Sequence, residues 1–294
     1  MSRGWTRGRR AGEPAVRSVK RLLLGAELFK KRKSDIQIKT VGELEAMRAA
    51  GLVVGRTLHR LVEAVKPGIT TADLDEIAED SIRAAGATPS FKGYLGFPAS
   101  ICASVNEEIV HGIPRPGKAL RDGDIISIDC GAIVDGWHGD AAVTVPVGSI
   151  EPTLTRLLEV CEQALWRGLA AGQVGANLSD IGHSIESYVR SQGQYGIVEE
   201  YVGHGIGTEM HMDPPVPNYG RPGFGPVLEP GMCFAVEPMV NLGTRETWLL
   251  DDEWTVVTRD GLPSAHFEHS FAVTDDGPWV LTALEEVRIQ SPSG

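Results

Sequence analysis

Six residues of this 294-residue chain carry the chemistry most legible in its sequence: Asp129, Asp140, His204, His211, Glu237 and Glu268. Asp129 interrupts the apolar run Ile125-Ile126-Ser127-Ile128-Asp129-Cys130-Gly131-Ala132-Ile133, where a carboxylate needs a reason. Between it and Asp140 lies Asp135-Gly136, flanked by β-rich runs, which signals a two-residue hairpin loop. That loop pairs Val134 with Trp137, Asp129 with Ala142 and Gly131 with Asp140. The two aspartates then become diagonal neighbours on one face, about 7–8 Å apart at the backbone. Buried like charges so placed either take up protons or share a cation.

The second half of the chain supplies matching ligand types. Tyr201 to Met212 reads YVGHGIGTEMHM, setting His204 and His211 among glycines that let the backbone approach a bound group. Glu237 stands in FAVEPM and Glu268 in AHFEHSF, both apolar strand contexts. The acids Asp129, Asp140, Glu237 and Glu268 with a loop histidine make a site whose negative charge two divalent ions balance. Carboxylates able to bridge, with imidazole, suit Co, Mn, Fe or Zn better than a thiolate-rich structural zinc. Two such ions about 3.5–4 Å apart would activate water for hydrolysis at neutral pH. Neither H-E-x-x-H nor G-x-S-x-G occurs, which sets aside the commonest zinc-protease and serine-hydrolase signatures.

These residues must be held by an α+β framework. Ile36 to Lys39 reads as a short strand, and Thr40-Val41-Gly42-Glu43 as a capping box opening a helix that Pro67-Gly68 stops. A second helix is expected from about Thr71 to Ala85. Ala99 to Val105 alternates like a strand, and Asp124 to Pro146 forms the hairpin. From Pro152 the order repeats, with two helices and then strands near Met232 to Val240, Trp254 to Thr258 and Ala265 to Val273. Ala72 to Ile77 (ADLDEI) matches Ala176 to Ile181 (ANLSDI) at an offset of 104. The pattern implies one domain of two pseudo-symmetric halves sharing a sheet.

Composition bounds the rest. Hydrophobic content of 42% with 23% charged residues is ordinary for a globular protein, and no apolar run approaches a membrane span of about 18 residues. The four cysteines, Cys102, Cys130, Cys161 and Cys233, lie far apart, as befits a reducing cytoplasm. Eleven of the 28 Lys and Arg but only three of the 39 acids fall in residues 1–35, a local charge of +8 that leaves −19 for the remainder. Residues 1–35 read as a disordered basic extension or as residues before the true start, and 36–294 as the catalytic domain. Such an arm could also contact nucleic acid, which the acidic body would not. His59 and His183 read as surface histidines, Cys130 as core, and His138, His266 and His269 as neighbours of the ligands.

Six ordered blocks carry a family resemblance: FPASICASVNEEIVHGIP (97–114), SIDCGAIVDGWHGDAAVT (127–144), GHGIGTEMHMDP (203–214), EPMVNLG (237–243), WTVVT (254–258) and SAHFEHS (264–270). Over about residues 36–284 the chain resembles the bacterial type I methionine aminopeptidases, which implies a pita-bread fold with two pseudo-symmetric halves. The resemblance implies two divalent ions held by Asp129, Asp140, His204, Glu237 and Glu268, with Asp140 and Glu268 bridging. It places His111 near the scissile amide, His211 on the substrate carbonyl oxygen, and Glu237 as the proton shuttle. Tyr94, Phe97, Cys102, Met210 and Trp254 would line the methionine pocket, and Asn106 and Ser264 would flank one Na or K ion. Met210 and Leu95 stand where many bacterial members carry an aromatic residue and a histidine, respectively.

The implied reaction removes the initiator methionine from nascent polypeptides whose second residue is small. The enzyme would act as a cytoplasmic monomer, with no membrane partner and with ribosome contact through the basic arm. Two other readings use the same residues: an X-prolyl aminopeptidase or prolidase of this fold, and a metal-free binding protein. Those prolyl peptidases usually carry a sizeable domain before the metal-binding half, whereas here the first ligand follows only one helix pair and the arm.

Overall fold

The computed structural model describes residues 36–290. The basic arm, residues 1–35, lies outside the described residues, as do 291–294. Four helices pack on one side of a central antiparallel sheet: α1 (Val41–Ala64), α2 (Thr71–Ala84), α3 (Pro152–Ala171) and α4 (Leu178–Gln192). Their starts follow from local chemistry. Thr40 and Glu43 form the expected capping box, and Thr70 with Asp73 and Asn177 with Asp180 form two more. Pro152 begins α3 at a position where its missing N–H costs nothing. No helix among the described residues is long and apolar enough to cross a membrane.

The strands are β1 (Thr88–Pro89), β2 (Ile101–Val105), β3 (Glu108–Val110), β4 (Ile125–Val134), β5 (Trp137–Pro146), β6 (Gly196–Ile197), β7 (Gly203–Gly205) and β8 (Met212–Val216), followed by β9 (Cys233–Val236), β10 (Met239–Asn241), β11 (Thr247–Leu249), β12 (Val256–Thr258), β13 (Ser264–His266), β14 (Glu268–Ala272), β15 (Trp279–Val280) and β16 (Val287–Arg288). The main sheet runs β1-β4-β5-β14-β9-β7-β8, with β2 also on β4; the sets β13-β10-β6 and β11-β12-β3 form two small sheets. The hairpin register is the one expected, Asp129 opposite Ala142 and Gly131 opposite Asp140. Asp135 and Gly136 take φ of 48° and 83°, the left-handed pair such a loop requires.

Alternate residues of the sheet face the helices and form two cores. The first half buries Val54, Leu58 and Leu61 of α1 and Leu74, Ala78 and Ile82 of α2 against Ile126, Ile128 and Cys130. The second buries Leu157, Leu165, Ile181 and Ile185 against Phe234, Val236 and Phe271. Each fully buried aliphatic side chain contributes roughly 1.5–3 kcal/mol. Cys130 is core, as expected.

Three expectations are corrected. Ile36–Lys39 is not a strand: Lys39 N–H donates to Gly231 O at 2.8 Å without a ladder following. Met232–Val240 and Ala265–Val273 are each two strands, broken at Glu237-Pro238 and at Phe267. Pro238 has no N–H to continue the ladder, so both segments leave the main sheet there and pair with each other as β10 and β13. The internal repeat is also displaced from an offset of 104. The N-caps Thr70 and Asn177 correspond, and each makes an isolated bridge, to Ala119 and Val227. Amphipathic helices match almost as well one turn out of register, which misled the sequence alignment.

Helix α1 crosses β5 where glycine meets glycine. A Cβ on Gly139 would stand 2.7 Å from Gly51 N, and one on Gly51 would run into the Leu281 carbonyl. Gly51→Ala should therefore lower stability by at least about 2 kcal/mol through overpacking. Gly42→Ala, with nothing within 4 Å, should be neutral or gain up to about 1 kcal/mol of helix propensity. Thermal denaturation of the two variants tests this; equal melting temperatures would contradict it.

Candidate active site

The sheet register delivers the acids to one face. Cys102, Asp129, Ala142 and Glu268 lie on one rung across β2, β4, β5 and β14. Two rungs along, Gly131 faces Asp140, and Ala235 faces both Ser270 and His204. Ser270 joins Asp140 to this second row, its Oγ donating to Asp140 O at 2.7 Å and accepting Asp140 N–H at 3.1 Å. Side chains two rungs apart share a face, and the intervening Gly131, Ala142 and Ala235 are small enough to leave it open. Glu237 joins from the break after β9.

The resulting cluster is dense and buried. Ligand atoms of Asp140, His204 and Glu268 lie within 4.8 Å of one another. His204 Nε2 is 3.9 Å from Asp140 Oδ2 and 3.6 Å from Glu237 Oε1. Among the described residues, the ion pairs of these acids are to His204 and His266, and none is to Lys or Arg. Burial pushes the Asp129 carboxyl up to about 7. Burial, then neighbouring acid charges, raises Asp140, Glu237 and Glu268 well above the usual carboxylate range.

The donor set fits divalent metal. Asp129 Oδ1, Asp140 Oδ1 and Glu268 Oε1 are buried without hydrogen-bond partners, an expensive arrangement unless a cation completes it. His204 Nδ1–H donates to Gly205 O at 2.9 Å, which leaves the Nε2 lone pair directed at the acids. Burial holds this imidazole neutral, its pKa lowered to about 4.

A cavity of about 100 Å³ adjoins the cluster, lined by the expected Tyr94, Phe97, Cys102, Met210 and Trp254 and by Asp129, Glu237, His111 and His211. Phe97 and Trp254 meet edge to face at 5.1 Å. Phe91, Tyr201 and Leu95 line it too; the first two were missed by sequence reasoning. Tyr201, three residues before His204, packs edge-on to His111 at 5.7 Å. His211 packs against His204 with ring centroids 4.3 Å apart and planes tilted by 54°, and burial lowers its pKa to about 2.

The remaining expectations divide. Asn106 and Ser264 lie together, Ser264 N–H donating to Asn106 O at 2.9 Å. His266 lies 3.8 Å from Glu237 and 4.0 Å from Glu268. His138 bonds Ser90 at 3.0 Å. His269 instead faces the helices, against Trp166 and bonded to Thr282 at 2.8 Å. Sequence reasoning also missed a repeat that carries two of the acids. Gly123-Asp-Ile-Ile-Ser-Ile-Asp129 and Gly231-Met-Cys-Phe-Ala-Val-Glu237 align residue for residue, each opening on a left-handed glycine (φ 94° and 89°) and ending on a carboxylate.

This sheet, with its buried acids and neutral imidazole, defines a metal-binding hydrolase site at the seam of two related halves. The model of metallopeptidase family M24 matches residues 45–275. A methionine aminopeptidase of Clostridium acetobutylicum is 54% identical over 250 residues, covering 85% of this chain and 100% of that one. The crystal structure of methionine aminopeptidase from Rickettsia prowazekii, 43% identical, matches with a TM-score of 0.82 over 84% of this chain and 99% of its own. The chain belongs to metallopeptidase family M24 and, within it, to the methionine aminopeptidases. The prolidase from Pyrococcus furiosus, at 22% identity and a TM-score of 0.68 over 84% of this chain and 66% of that one, shares the fold.

The acids give metal-free protein a characteristic pH response. Groups whose folded pKa is raised stabilise the fold at low pH and lose that contribution as pH rises through the folded value. The buried histidines act oppositely, but only below their unfolded pKa of about 6.5. From about pH 6.5 to 8 the metal-free melting temperature should therefore fall. Added divalent ion should raise it more at pH 8 than at pH 6.5, because its ligands must shed protons. Differential scanning fluorimetry with and without chelator reads this, and a metal-free melting temperature rising over that window would refute it.

Proposed function

We propose that the protein removes the N-terminal methionine from nascent polypeptides whose second residue is small. The observation that carries this is the apolar cavity, lined by Phe97, Cys102, Met210 and Trp254, opening directly onto the acidic cluster. It receives an unbranched thioether and presents its first peptide bond to the acids. Asp129, Asp140, His204, Glu237 and Glu268 hold two divalent ions, of Co, Mn, Fe or Zn. When bound, these supply carbonyl polarisation and water of lowered pKa.

The chain's own groups do the rest. His211 donates a hydrogen bond to the substrate carbonyl oxygen as charge develops there. His111 steadies the amide nitrogen, and Glu237 passes a proton to the leaving amine. Leu95, Tyr201 and His111 line the same cavity, which supports restriction of the second residue to small types. Asn106 and Ser264 flank a Na or K ion. The four cysteines, buried and unpaired, support action in a reducing cytoplasm. The +8 charge of residues 1–35 against −19 elsewhere supports a ribosomal contact through that arm.

Metal titration of metal-free enzyme with a peptide panel tests the reading. Met-Ala and Met-Gly peptides should be cleaved, and Met-Leu, Met-Lys and N-acetylated Met peptides at least about a hundredfold less well, with activity saturating at two ions per chain. Efficient cleavage of Ala-Pro without a methionine preference would favour the prolyl-peptidase reading. Deleting residues 1–35 should leave Met-Ala hydrolysis intact while abolishing salt-sensitive co-sedimentation with ribosomes; equal co-sedimentation of both forms would dismiss the arm.

A further inference from the structure

Two imidazoles pack against each other at a tilt at the site, and their Nδ1 atoms have different partners. His204 Nδ1 faces the Gly205 carbonyl, which can only accept, so the proton sits on Nδ1 and Nε2 keeps its lone pair. His211 Nδ1 lies 2.9 Å from the Tyr94 hydroxyl, which can donate. A phenol O–H is the better donor of that pair and an imidazole nitrogen the better acceptor. We propose that Tyr94 is a positioning residue: its O–H donates to His211 Nδ1 and keeps the proton on Nε2, so that His211 is a hydrogen-bond donor to substrate while the ring packed against it, His204, is a metal ligand. The inference rests on the proposed methionine aminopeptidase reaction. It assigns opposite tautomers to two histidines 4.3 Å apart.

The backbone around Tyr94 is built for this placement. Gly93, Leu95 and Gly96 have φ of 89°, 48° and 88°. A Cβ at either glycine would meet nothing within 4 Å, so glycine is required there by backbone conformation and not by space. Leu95 holds an unfavourable left-handed conformation although its side chain is 60% exposed, so its own packing does not account for the turn. The turn is closed by Gly93 N–H to Phe97 O at 2.8 Å and Phe97 N–H to Tyr94 O at 2.9 Å. It brings the Tyr94 ring within 5.3 Å of His211. An apolar wall alone would be served as well by phenylalanine; the hydroxyl is what the His211 contact uses.

Tyr94→Phe keeps the wall and removes the donor. With the zinc-loaded enzyme and a Met-Ala-Ser peptide, kcat should fall roughly 10- to 100-fold while KM changes less than about threefold. In a His211→Ala background the same substitution should have no further effect on kcat. Nitrogen NMR of histidine-labelled, zinc-loaded enzyme should show His211 as the Nε2–H tautomer in the wild type, and that preference should weaken in Tyr94→Phe. An Nδ1–H tautomer in the wild type, an unchanged kcat in Tyr94→Phe, or a full additional loss in the His211→Ala background would overturn the proposal. If the wild type does not cleave the peptide, the reaction assignment fails instead, and the wild-type tautomer alone then decides the role of Tyr94.

Discussion

Burying an ionised carboxylate without a cation costs several kcal/mol even after the protein relaxes, and here four acids share one sheet face. The residues that face these acids and His204 across the strands include Gly131, Ala142 and Ala235, which fill little of the space between them. Without metal the acids are driven toward their protonated forms; with metal the same burial becomes a source of affinity. The imidazoles follow the same logic in reverse, since burial keeps His204 and His211 neutral. A neutral imidazole can offer a lone pair from one nitrogen and a hydrogen-bond donor from the other.

The two halves contribute unequally to this arrangement. Asp129 and Asp140 come from one hairpin, whose register is fixed by a two-residue loop. Glu237 and Glu268 come instead from points where β9 gives way to β10 and β13 to β14. The sequences opening β4 and β9 are related, yet only the second meets a proline after its acid. Strand β14 then joins the halves, pairing with β5 on one side and β9 on the other.

What could be read from the sequence was local chemistry with a short reach. Asp135-Gly136 fixes a register because turn geometry leaves one choice, and Thr40 with Glu43 marks a helix start because the two groups satisfy each other. The breaks at Pro238 and Phe267 were less legible: β-rich residues continue on both sides, and the change of sheet depends on partners distant in the chain. Ile36–Lys39 has strand composition but no neighbour to complete a ladder. Phe91 and Tyr201 enter the cavity through tertiary packing that no periodicity announces. His269 was misplaced because it adjoins Glu268 in sequence, whereas strand parity sends it to the opposite face.

The seam between the halves also orders events in time. A chain emerging from its own ribosome presents Asp129 and Asp140 first, then His204 and Glu237, and Glu268 last. Until β14 threads between β5 and β9, the first hairpin holds two acids with no third carboxylate, and the sheet has no centre. The full cluster of acids is therefore assembled only once β14 is in place, late in the synthesis of the chain.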